Sequence, residues 1–453
     1  MKRGCGSWAL GVGAVSAVAA ISAACGDPPP SSLALSQDPA DAGQSALDAP
    51  RDDEGDAPVP VAPAFAYCDV NHVLSTGQSL AVGAVGSPSL SKSQPYKNVM
   101  FNTGVLAGGD NLQAFVPLVE HTVETMSSAL ANDVAKWARE LIFKEIAVPK
   151  NDHVMLVSNH GRGGVGYSGL KRGSAQYEDG LEQVRAAKAI AGARQLSYVV
   201  RAVTNVHGEA DHALANMNYG KNLLQWQNDY EKDVQKITGQ TAPVPMLHSQ
   251  FSSWTRVGND AATSKVAMLQ LEASRTARDK VVMVMAKYHL PYARDGIHLN
   301  NLGYRLMGEY YAKAYRRLIL EGRPWTPLWP SKVSRAGAAI TIAFDVPVPP
   351  LALDTTLVSN PGQFGFEFAD DSASAPIVTG VKLAGPTTVE VTLSSIPVGA
   401  NKRLRYAYTG IRGSLAGPQS GPRGNLRDSD TIPSAFGAGP LYNWSVHFDE
   451  PCP

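Results

Sequence analysis

Ser79 is the residue whose position most favours chemistry. It follows Gly77 and Gln78 directly after a short apolar strand. Open α/β sheets bind their ligands at the carboxyl ends of the strands, so this serine is placed as an exposed nucleophile. Ala81 stands where a G-x-S-x-G elbow has its second glycine, which argues against the common α/β-hydrolase arrangement. The alternative is that Gly-Gln-Ser forms a helix-capping turn.

Asp295 and His298 could complete this chemistry from a single turn, D-G-I-H-L-N. A serine hydroxyl becomes a good nucleophile only when an imidazole removes its proton, and the imidazole needs a carboxylate to fix its tautomer. The pattern therefore predicts acyl transfer, with Ser79 as nucleophile, His298 as base and Asp295 as its partner. The alternative is a hydrogen-bonded pair that caps the next helix.

An α/β sheet must bring these distant residues together. From Tyr67 onward, short apolar runs alternate with amphipathic segments, which predicts a parallel sheet covered by helices in three layers. Strands are predicted at 72–75, 98–102, 154–158, 198–203, 244–248 and 281–286, and helices at 125–142, 175–191, 213–234 and 261–276. A last helix begins near Asn300, where Leu302, Leu306 and Tyr310 form one apolar face.

The chain has 453 residues, too many for one hydrophobic core, so two folded units are expected. The catalytic unit is predicted at 67–325. From 330 to 453, alternating strands separated by Gly and Pro predict an antiparallel sandwich of immunoglobulin-like or fibronectin-like type. In this second unit, residues 425–429 form a polar cluster that is either a sugar site or a hydrogen-bonded turn.

Charge gives little information about partners. Lysine plus arginine and aspartate plus glutamate both number 40, so nothing favours a nucleic acid or an anionic membrane surface. The expected contact with a membrane is through a lipid anchor only.

The amino terminus predicts export. Lys2 and Arg3 precede a short apolar run that ends before Cys25, as in a signal peptide over residues 1–24. The last residues resemble the lipobox of bacterial lipoproteins, in which the cysteine is lipidated, although Ser22 departs from the usual aliphatic residue. A Pro/Ala/Asp-rich tether is predicted at 25–66. The expected location is the bacterial cell envelope, in the periplasm or at the surface, and simple secretion is the alternative.

Cys68 and Cys452 are the thiols that remain in the folded part. In an oxidising compartment two such cysteines are expected to pair, which would join the start of the first domain to the end of the last. The alternative is two unrelated thiols.

Taken together, the Gly-Gln-Ser block and the D-x-x-H-L-N block resemble the SGNH, or GDSL-like, hydrolases. Within that superfamily they are similar to the branch of carbohydrate and sialate O-acetylesterases that has G-Q-S as its first block. The resemblance covers about residues 67–323. It implies a flavodoxin-like sheet, a triad of Ser79, His298 and Asp295, no metal or other cofactor, and an acetylated glycan or a small ester as substrate.

That branch also has a Q-G-E-x-D block, which residues 207–211 resemble with His207 in place of the glutamine. The glutamine helps to hold the oxyanion in the family, and a neutral imidazole can also donate one hydrogen bond. One alternative is a polar loop in which Asp211 caps the next helix. The other is a metal site formed by His207, Glu209, Asp211 and His212.

A glycine-rich block at 158–164 resembles the one that lines the pocket in this branch. The expected oxyanion donors are the backbone of Ser79 and Gly164 and the side chain of His207 or Asn159, and Gly104 is a rival. Gln78, Gly163 and Glu209 are expected to contact the substrate. The alternative is that 161–169 is only a flexible loop.

Two other functions remain open. The esterase fold and the sandwich could together bind glycan without catalysis. An active esterase could instead act on a lipid or a thioester.

Overall fold

The structure of the chain is a computed structural model that describes residues 67–108, 110–142, 152–258 and 261–453. The predicted signal peptide, the predicted tether and Cys25 lie outside these residues and stay predictions. Within the described ranges, no helix is both long and apolar enough to cross a membrane.

Seven strands form one sheet in the order β3-β2-β4-β1-β5-β6-β7. Their bounds are Val70–Gly77 (β1), Val99–Phe101 (β2), Phe115–Pro117 (β3), Val154–Asn159 (β4), Tyr198–Val206 (β5), Met246–Gln250 (β6) and Val281–Ala286 (β7). All neighbouring strands are parallel except β2 and β3. The sheet is therefore mixed, whereas the sequence predicts a parallel one, because β3 has only 3 residues and shows no clear alternation.

Helices cover both faces of this sheet. They are Ser127–Trp137 (α1), Ala175–Ala193 (α2), Glu209–Ala213 (α3), Tyr219–Thr238 (α4), Lys265–Thr276 (α5) and Asn301–Tyr315 (α6). One apolar core contains residues of α1 and α6, and a second contains residues of α2, α4 and α5. Every residue of β1, β5 and β7 is buried, as expected for strands between two helical layers. The predicted three-layer fold is confirmed.

The connections of β1 place a crevice at its carboxyl end. β1 lies at the centre of the sheet, with β4 on one side and β5 on the other. The chain first builds the β4 side and only later the β5 side, so the connections leave β1 in opposite directions. Such a switch point is where open α/β sheets bind ligands.

The second unit is an antiparallel β domain, as predicted. Its strands are Trp329–Ala336 (β8), Ala339–Asp345 (β9), Ala352–Leu353 (β10), Phe366–Ala369 (β11), Val378–Gly385 (β12), Thr388–Leu393 (β13), Arg403–Tyr406 (β14), Leu426–Arg427 (β15) and Phe448–Pro451 (β16). They form the sheets β12-β13-β9-β8, β11-β14-β16 and β10-β15. The first two sheets share one apolar core, which extends to Leu271, Met283 and Tyr288 of the α/β domain.

The predicted Cys68–Cys452 disulfide is wrong, because Cys452 is a free, buried thiol. Cys452 follows β16 and packs in the core of the β domain, where its N–H bonds to the carbonyl of Lys402. Burial raises the pKa of this thiol. Cys68 instead precedes the central strand of the other domain.

The polar cluster at 425–429 contains the short strand β15, and its buried side chains are hydrogen-bonded within the protein. The Asn425 side chain is fully buried and donates to the carbonyls of Asp354 and Val358 at 2.8 and 2.5 Å. Asp428 is also fully buried and accepts from the backbone and side chain of Asn443. These groups face the protein interior, so the sugar-binding alternative has no support in the structure.

Candidate active site

The turn after β1 presents Ser79 at the edge of the sheet. Gly77 has φ +128°, and a Cβ there would lie 2.3 Å from the carbonyl oxygen of Val206 on β5. Only glycine permits this close approach of two strands. The N–H of Gln78 bonds to the same oxygen at 3.1 Å, which leaves Ser79 half-buried just beyond the strand. The residues after Ser79 form turns, so the capping alternative does not apply.

A continuous hydrogen-bonded chain links the three predicted catalytic residues. His298 Nε2 lies 2.7 Å from Ser79 Oγ, and His298 Nδ1 lies 2.6 Å from Asp295 Oδ2. The helix-capping role belongs to Asn300, whose side chain accepts from the N–H of Gly303 at 2.8 Å. Asp295 and His298 are thus free to act on Ser79.

Asp295 is held as a carboxylate. Partial burial raises its pKa, but hydrogen bonds from the His298 ring and from the N–H groups of Ile297 and His298 outweigh burial and lower the pKa below its usual value. Since a carboxylate only accepts, His298 Nδ1 must carry the proton toward Asp295. Nε2 is then the acceptor for the Ser79 hydroxyl, as a general base must be.

Backbone N–H groups of Ser79 and Gly163 are available beside the nucleophile. A Cβ on Gly163 would lie 3.7 Å from Ser79 Cβ, whereas one on Gly164 would have no atom within 4 Å. Within the described residues, neither the Ser79 nor the Gly163 N–H donates to a protein acceptor. The geometry therefore favours Gly163 over Gly164 as oxyanion donor. Gly104 is disfavoured, because its N–H bonds to the Phe101 carbonyl.

His207 does not fit its predicted role as oxyanion donor, and the Asn159 side chain also makes hydrogen bonds within the protein. The Asn159 amide donates to the Ala81 carbonyl at 2.6 Å and accepts from the Gly161 N–H at 2.8 Å. Both ring nitrogens of the buried His207 are engaged, by the Tyr219 hydroxyl at 2.7 Å and the Val165 carbonyl at 3.0 Å. Burial lowers the pKa of His207, so its neutral ring donates from Nε2 to Val165 and accepts at Nδ1. Both side chains hold the loop at 161–169, Asn159 at Gly161 and His207 at Val165.

Gln78 and Glu209 are also turned into the protein. The Gln78 side chain accepts from the Ala210 N–H at 3.0 Å, which joins the Gly-Gln-Ser block to residues 207–211. Glu209 is 1% exposed and lies 3.1 Å from the ammonium of the fully buried Lys287. Burial lowers the pKa of Lys287, and the Glu209 carboxylate opposes that shift. Glu209 is therefore not placed to contact substrate directly, and the side-chain oxygen of Gln78 is already engaged.

The metal alternative has no support in the part of the chain that the structure describes. No group of three or more His, Cys, Asp or Glu side chains is arranged there to hold an ion. Asp211 accepts from the Tyr167 N–H at 2.8 Å, and the His212 ring bonds to Ser264 Oγ at 3.1 Å. These contacts, with those of His207 and Glu209, account for the four residues of the proposed metal site.

Sequence reasoning misses two residues near the site. Lys287 directly follows the entirely apolar strand β7. A charged residue at the carboxyl end of a strand could have been recognised in the sequence as a residue near the site. Gly296 has φ +65° and contacts Leu415 of the β domain. No local sequence pattern predicts that contact, because Gly296 and Leu415 are distant in sequence.

A strand-end serine bonded to a histidine and aspartate on one turn, on a flavodoxin-like sheet, defines an ester hydrolase of the SGNH class. Residues 73–317 match the family model of the carbohydrate esterases described as sialic acid-specific acetylesterases. Because this match spans more than half of the 453 residues, the chain belongs to that family and is a carboxylic ester hydrolase.

Solved structures of similar fold include a carbohydrate acetylesterase from Xanthomonas citri. It has a TM-score of 0.52 at 15% identity, with 84% of this chain and 80% of that one covered. A carbohydrate acetylesterase from Sinorhizobium meliloti and an aryl esterase from M. smegmatis both have a TM-score of 0.31, at 12% and 14% identity. Those two matches cover 54% of this chain and 97% and 98% of theirs. A comparison of this chain with curated proteins found no match.

Proposed function

We propose that the protein is a serine esterase that removes O-acetyl groups from carbohydrate through an acyl-enzyme. The observation that carries this proposal is the chain Asp295–His298–Ser79, with contacts of 2.6 and 2.7 Å. Three side chains from opposite ends of the domain meet in the order that acyl transfer requires.

In the proposed first step, His298 Nε2 takes the Ser79 proton as Oγ attacks the acetyl carbonyl. The N–H groups of Ser79 and Gly163 stabilise the tetrahedral oxyanion, and Asp295 stabilises the protonated imidazole. His298 then gives its proton to the departing sugar oxygen, which leaves an acetyl ester on Ser79. A water molecule, deprotonated by His298, attacks that ester, and acetate leaves as Ser79 recovers its proton.

Support for a carbohydrate substrate comes from two sources. The family is described as carbohydrate esterases specific for sialic acid acetyl groups. The site is also open, since Arg162, Gly163 and Gly164 beside the nucleophile are exposed. An acetyl group that projects from a bulky sugar could reach Ser79 from this side.

Kinetics of Ser79→Ala test the function. We expect turnover of 4-nitrophenyl acetate to fall by roughly 10⁴-fold or more, since removal of the nucleophile leaves only the binding contributions. Ser334→Ala is the matched control, because Ser334 is an exposed serine of the β domain. Unchanged activity of Ser79→Ala would refute the assignment.

A panel of esters tests the substrate class. Acetate release is compared for acetylated xylan, acetylated pectin, O-acetyl sialic acid and a long-chain ester. Preference for any of the three carbohydrates supports the proposal, whereas preference for the long-chain ester supports the lipid alternative.

We further propose that a lipid on Cys25 anchors the enzyme in the cell envelope. The lipobox-like residues before Cys25 support this proposal. Cys25→Ser should move the protein from the membrane fraction to the soluble fraction, whereas Cys5→Ser, within the predicted signal peptide, should not. A Cys25→Ser protein that stays with the membrane would contradict the anchor.

A further inference from the structure

A segment of the β domain lies directly on the catalytic turn. Residues 410–417, here called the clamp segment, follow β14 and cross onto the α/β domain. The hydrogen bonds that join the two domains here are Gly410 N–H to Ala262 O at 2.8 Å, Gly413 N–H to Thr255 O at 2.7 Å, Thr255 Oγ1 to Ser414 O at 2.9 Å and Ala416 N–H to Gly296 O at 3.1 Å. Gly296 lies between Asp295 and His298, so the last of these bonds is to the catalytic turn itself.

Leu415 covers that turn. A Cβ added to Gly296 would lie 2.7 Å from both Cα and Cβ of Leu415, so the two residues are in close contact. Gly296 is buried under this side chain, while Leu415 itself remains 42% exposed. One face of Leu415 thus packs on the turn, and the other faces solvent.

The base of the clamp segment is fixed by a buried histidine. His447 Nδ1 lies 2.6 Å from the Ala407 carbonyl, and Nε2 lies 2.8 Å from Ser252 Oγ of the α/β domain. Burial lowers the pKa of His447 to about 3, so the ring is neutral, donates from Nδ1 and accepts from Ser252. Gln250 exchanges two further hydrogen bonds with the His447 backbone, at 2.8 and 3.0 Å.

Within its own domain, the catalytic turn is held at its end by Leu299, which is fully buried in the core beside α6. Its hydrogen bonds, which include Ala293 N–H to His298 O and Gly296 N–H to Ala293 O, close the turn on itself. Gly296 at φ +65° adds conformational freedom to the turn. Since a misplacement of about 1 Å can cost roughly 100-fold in rate, an outside contact here matters for catalysis.

We propose that the clamp segment positions the Asp295–His298 turn, with Leu415 as a positioning residue, so that the β domain is part of the esterase site. This inference rests on the proposed function, because it assumes that His298 is the base for Ser79. The β domain would then contribute to catalysis by positioning the base, in addition to any binding role.

Leu415→Ala in the full chain tests the proposal. We expect kcat for 4-nitrophenyl acetate to fall about tenfold, with KM changed less than about twofold, because the small substrate binds at Ser79 and only the base is displaced. Leu415→Met should restore kcat to within about threefold of the wild type, since methionine fills a similar volume. Leu383→Ala is the matched control, because Leu383 is a leucine of the β domain with a similar exposure of 40%.

Thr255→Val gives a second, independent variant. It keeps the shape of the buried side chain and removes the hydroxyl that bonds to Ser414, so a smaller loss of kcat, about twofold to fivefold, is expected. The rate at which a fluorophosphonate labels Ser79 should fall in parallel with kcat in both variants.

The outcomes separate the inference from the proposed function. If folded Leu415→Ala or Thr255→Val keeps the wild-type kcat while Ser79→Ala is inactive, the positioning role of the clamp segment is refuted. The proposed esterase function is then unaffected. A loss confined to KM, or a lower melting temperature with unchanged kcat, would also refute the positioning role. A wild-type protein that neither turns over nor reacts with the fluorophosphonate would overturn the function itself.

Discussion

At the residue scale, the division of work between Asp295 and His298 follows from hydrogen bonding. Asp295 accepts three hydrogen bonds, and these lower its pKa despite partial burial. It therefore stays ionised at neutral pH and keeps His298 Nε2 free to accept a proton. The tautomer of His298 is a consequence of the charge of Asp295.

Asp295→Asn should break this arrangement with little change of shape. An amide that donates to Nδ1 selects the other tautomer, so we expect kcat to fall by roughly 10⁴-fold with little change in KM. The measurement is steady-state hydrolysis of 4-nitrophenyl acetate, with Asp279→Asn, an exposed carboxylate, as control. A loss of less than about tenfold would show that Asp295 does not orient the base.

The hydrogen-bonded group of Ser79, Asp295 and His298 could be predicted from the sequence, but the contacts of the residues expected around the oxyanion could not. Ser79, Asp295 and His298 are recognisable because their types and local spacing carry the chemistry. The roles of His207 and Glu209 depend on partners distant in sequence, Val165 and Lys287, which occupy their polar atoms. A polar residue in a motif is available to substrate only if no neighbour in the fold takes its hydrogen bonds.

At the element scale, the approach of β1 to β5 controls where the nucleophile lies. Gly77 is the last residue of β1, and its missing side chain lets the strand end touch the Val206 backbone. The long, fully buried strands of this region are well predicted from their apolar runs. The 3-residue strand β3 is not predicted, although the equally short β2 is, because its run Phe-Val-Pro ends in a proline, which argues against a strand.

Gly77→Ala should displace the nucleophile. The added methyl would sit 2.3 Å from a backbone oxygen at a φ that disfavours side chains, so we expect a loss of stability of roughly 2 kcal/mol or more and a large loss of activity. Gly192→Ala, in α2 with no atom within 4 Å of the new Cβ, is the control and should be neutral or slightly stabilising. Urea unfolding and kcat are measured together, and a normal Gly77→Ala enzyme would contradict the strand contact.

The link between β10 and β15 predicts a pH dependence of stability. Burial opposes ionisation of Asp354, but hydrogen bonds from Thr356 and Arg427 hold its pKa at about 2. A pKa below the unfolded value of about 3.9 means that the carboxylate stabilises the fold above that pH, and that this contribution is lost as the pH falls through about 2.

Asp354→Asn should therefore lower the free energy of unfolding by about 1–2 kcal/mol at pH 7, and the difference should shrink toward zero near pH 2. Urea unfolding over this pH range measures it. A difference that is constant with pH would show that the ion pair with Arg427 is not its source.

At the scale of the whole molecule, the two domains are one packed body. Leu271, Met283 and Tyr288 of the α/β domain belong to the same apolar core as the sandwich. The Tyr288 hydroxyl donates to the Ser445 carbonyl at 2.8 Å, and Arg275 pairs with Glu450 at 2.6 Å. The two units that the sequence predicts at 67–325 and 330–453 therefore share an apolar core in the structure.

A chain that ends at Arg323 should therefore fail as an isolated enzyme. It would expose the buried side chains of Met283 and Tyr288 and lose the contact on Gly296, so we expect aggregation and no esterase activity. Solubility, near-UV circular dichroism and kcat of this chain are compared with those of the full chain. A soluble, active fragment would contradict the single packed body.

The arrangement of the two domains also explains why the disulfide prediction is wrong. Composition favours pairing of Cys68 and Cys452, but pairing depends on where the two cysteines lie in the fold. Cys452 ends in the core of the β domain as a free thiol. Contacts between distant segments, including Leu415 on Gly296, have no local pattern and were accessible only from the structure.

The role of Ser79 is tested most directly by mass spectrometry of the full chain after reaction with a fluorophosphonate. We expect one covalent adduct on the peptide that contains Ser79, formed rapidly in the wild type, slowly in His298→Ala and not at all in Ser79→Ala. A wild-type protein that stays unmodified, or an adduct on another serine, would contradict it.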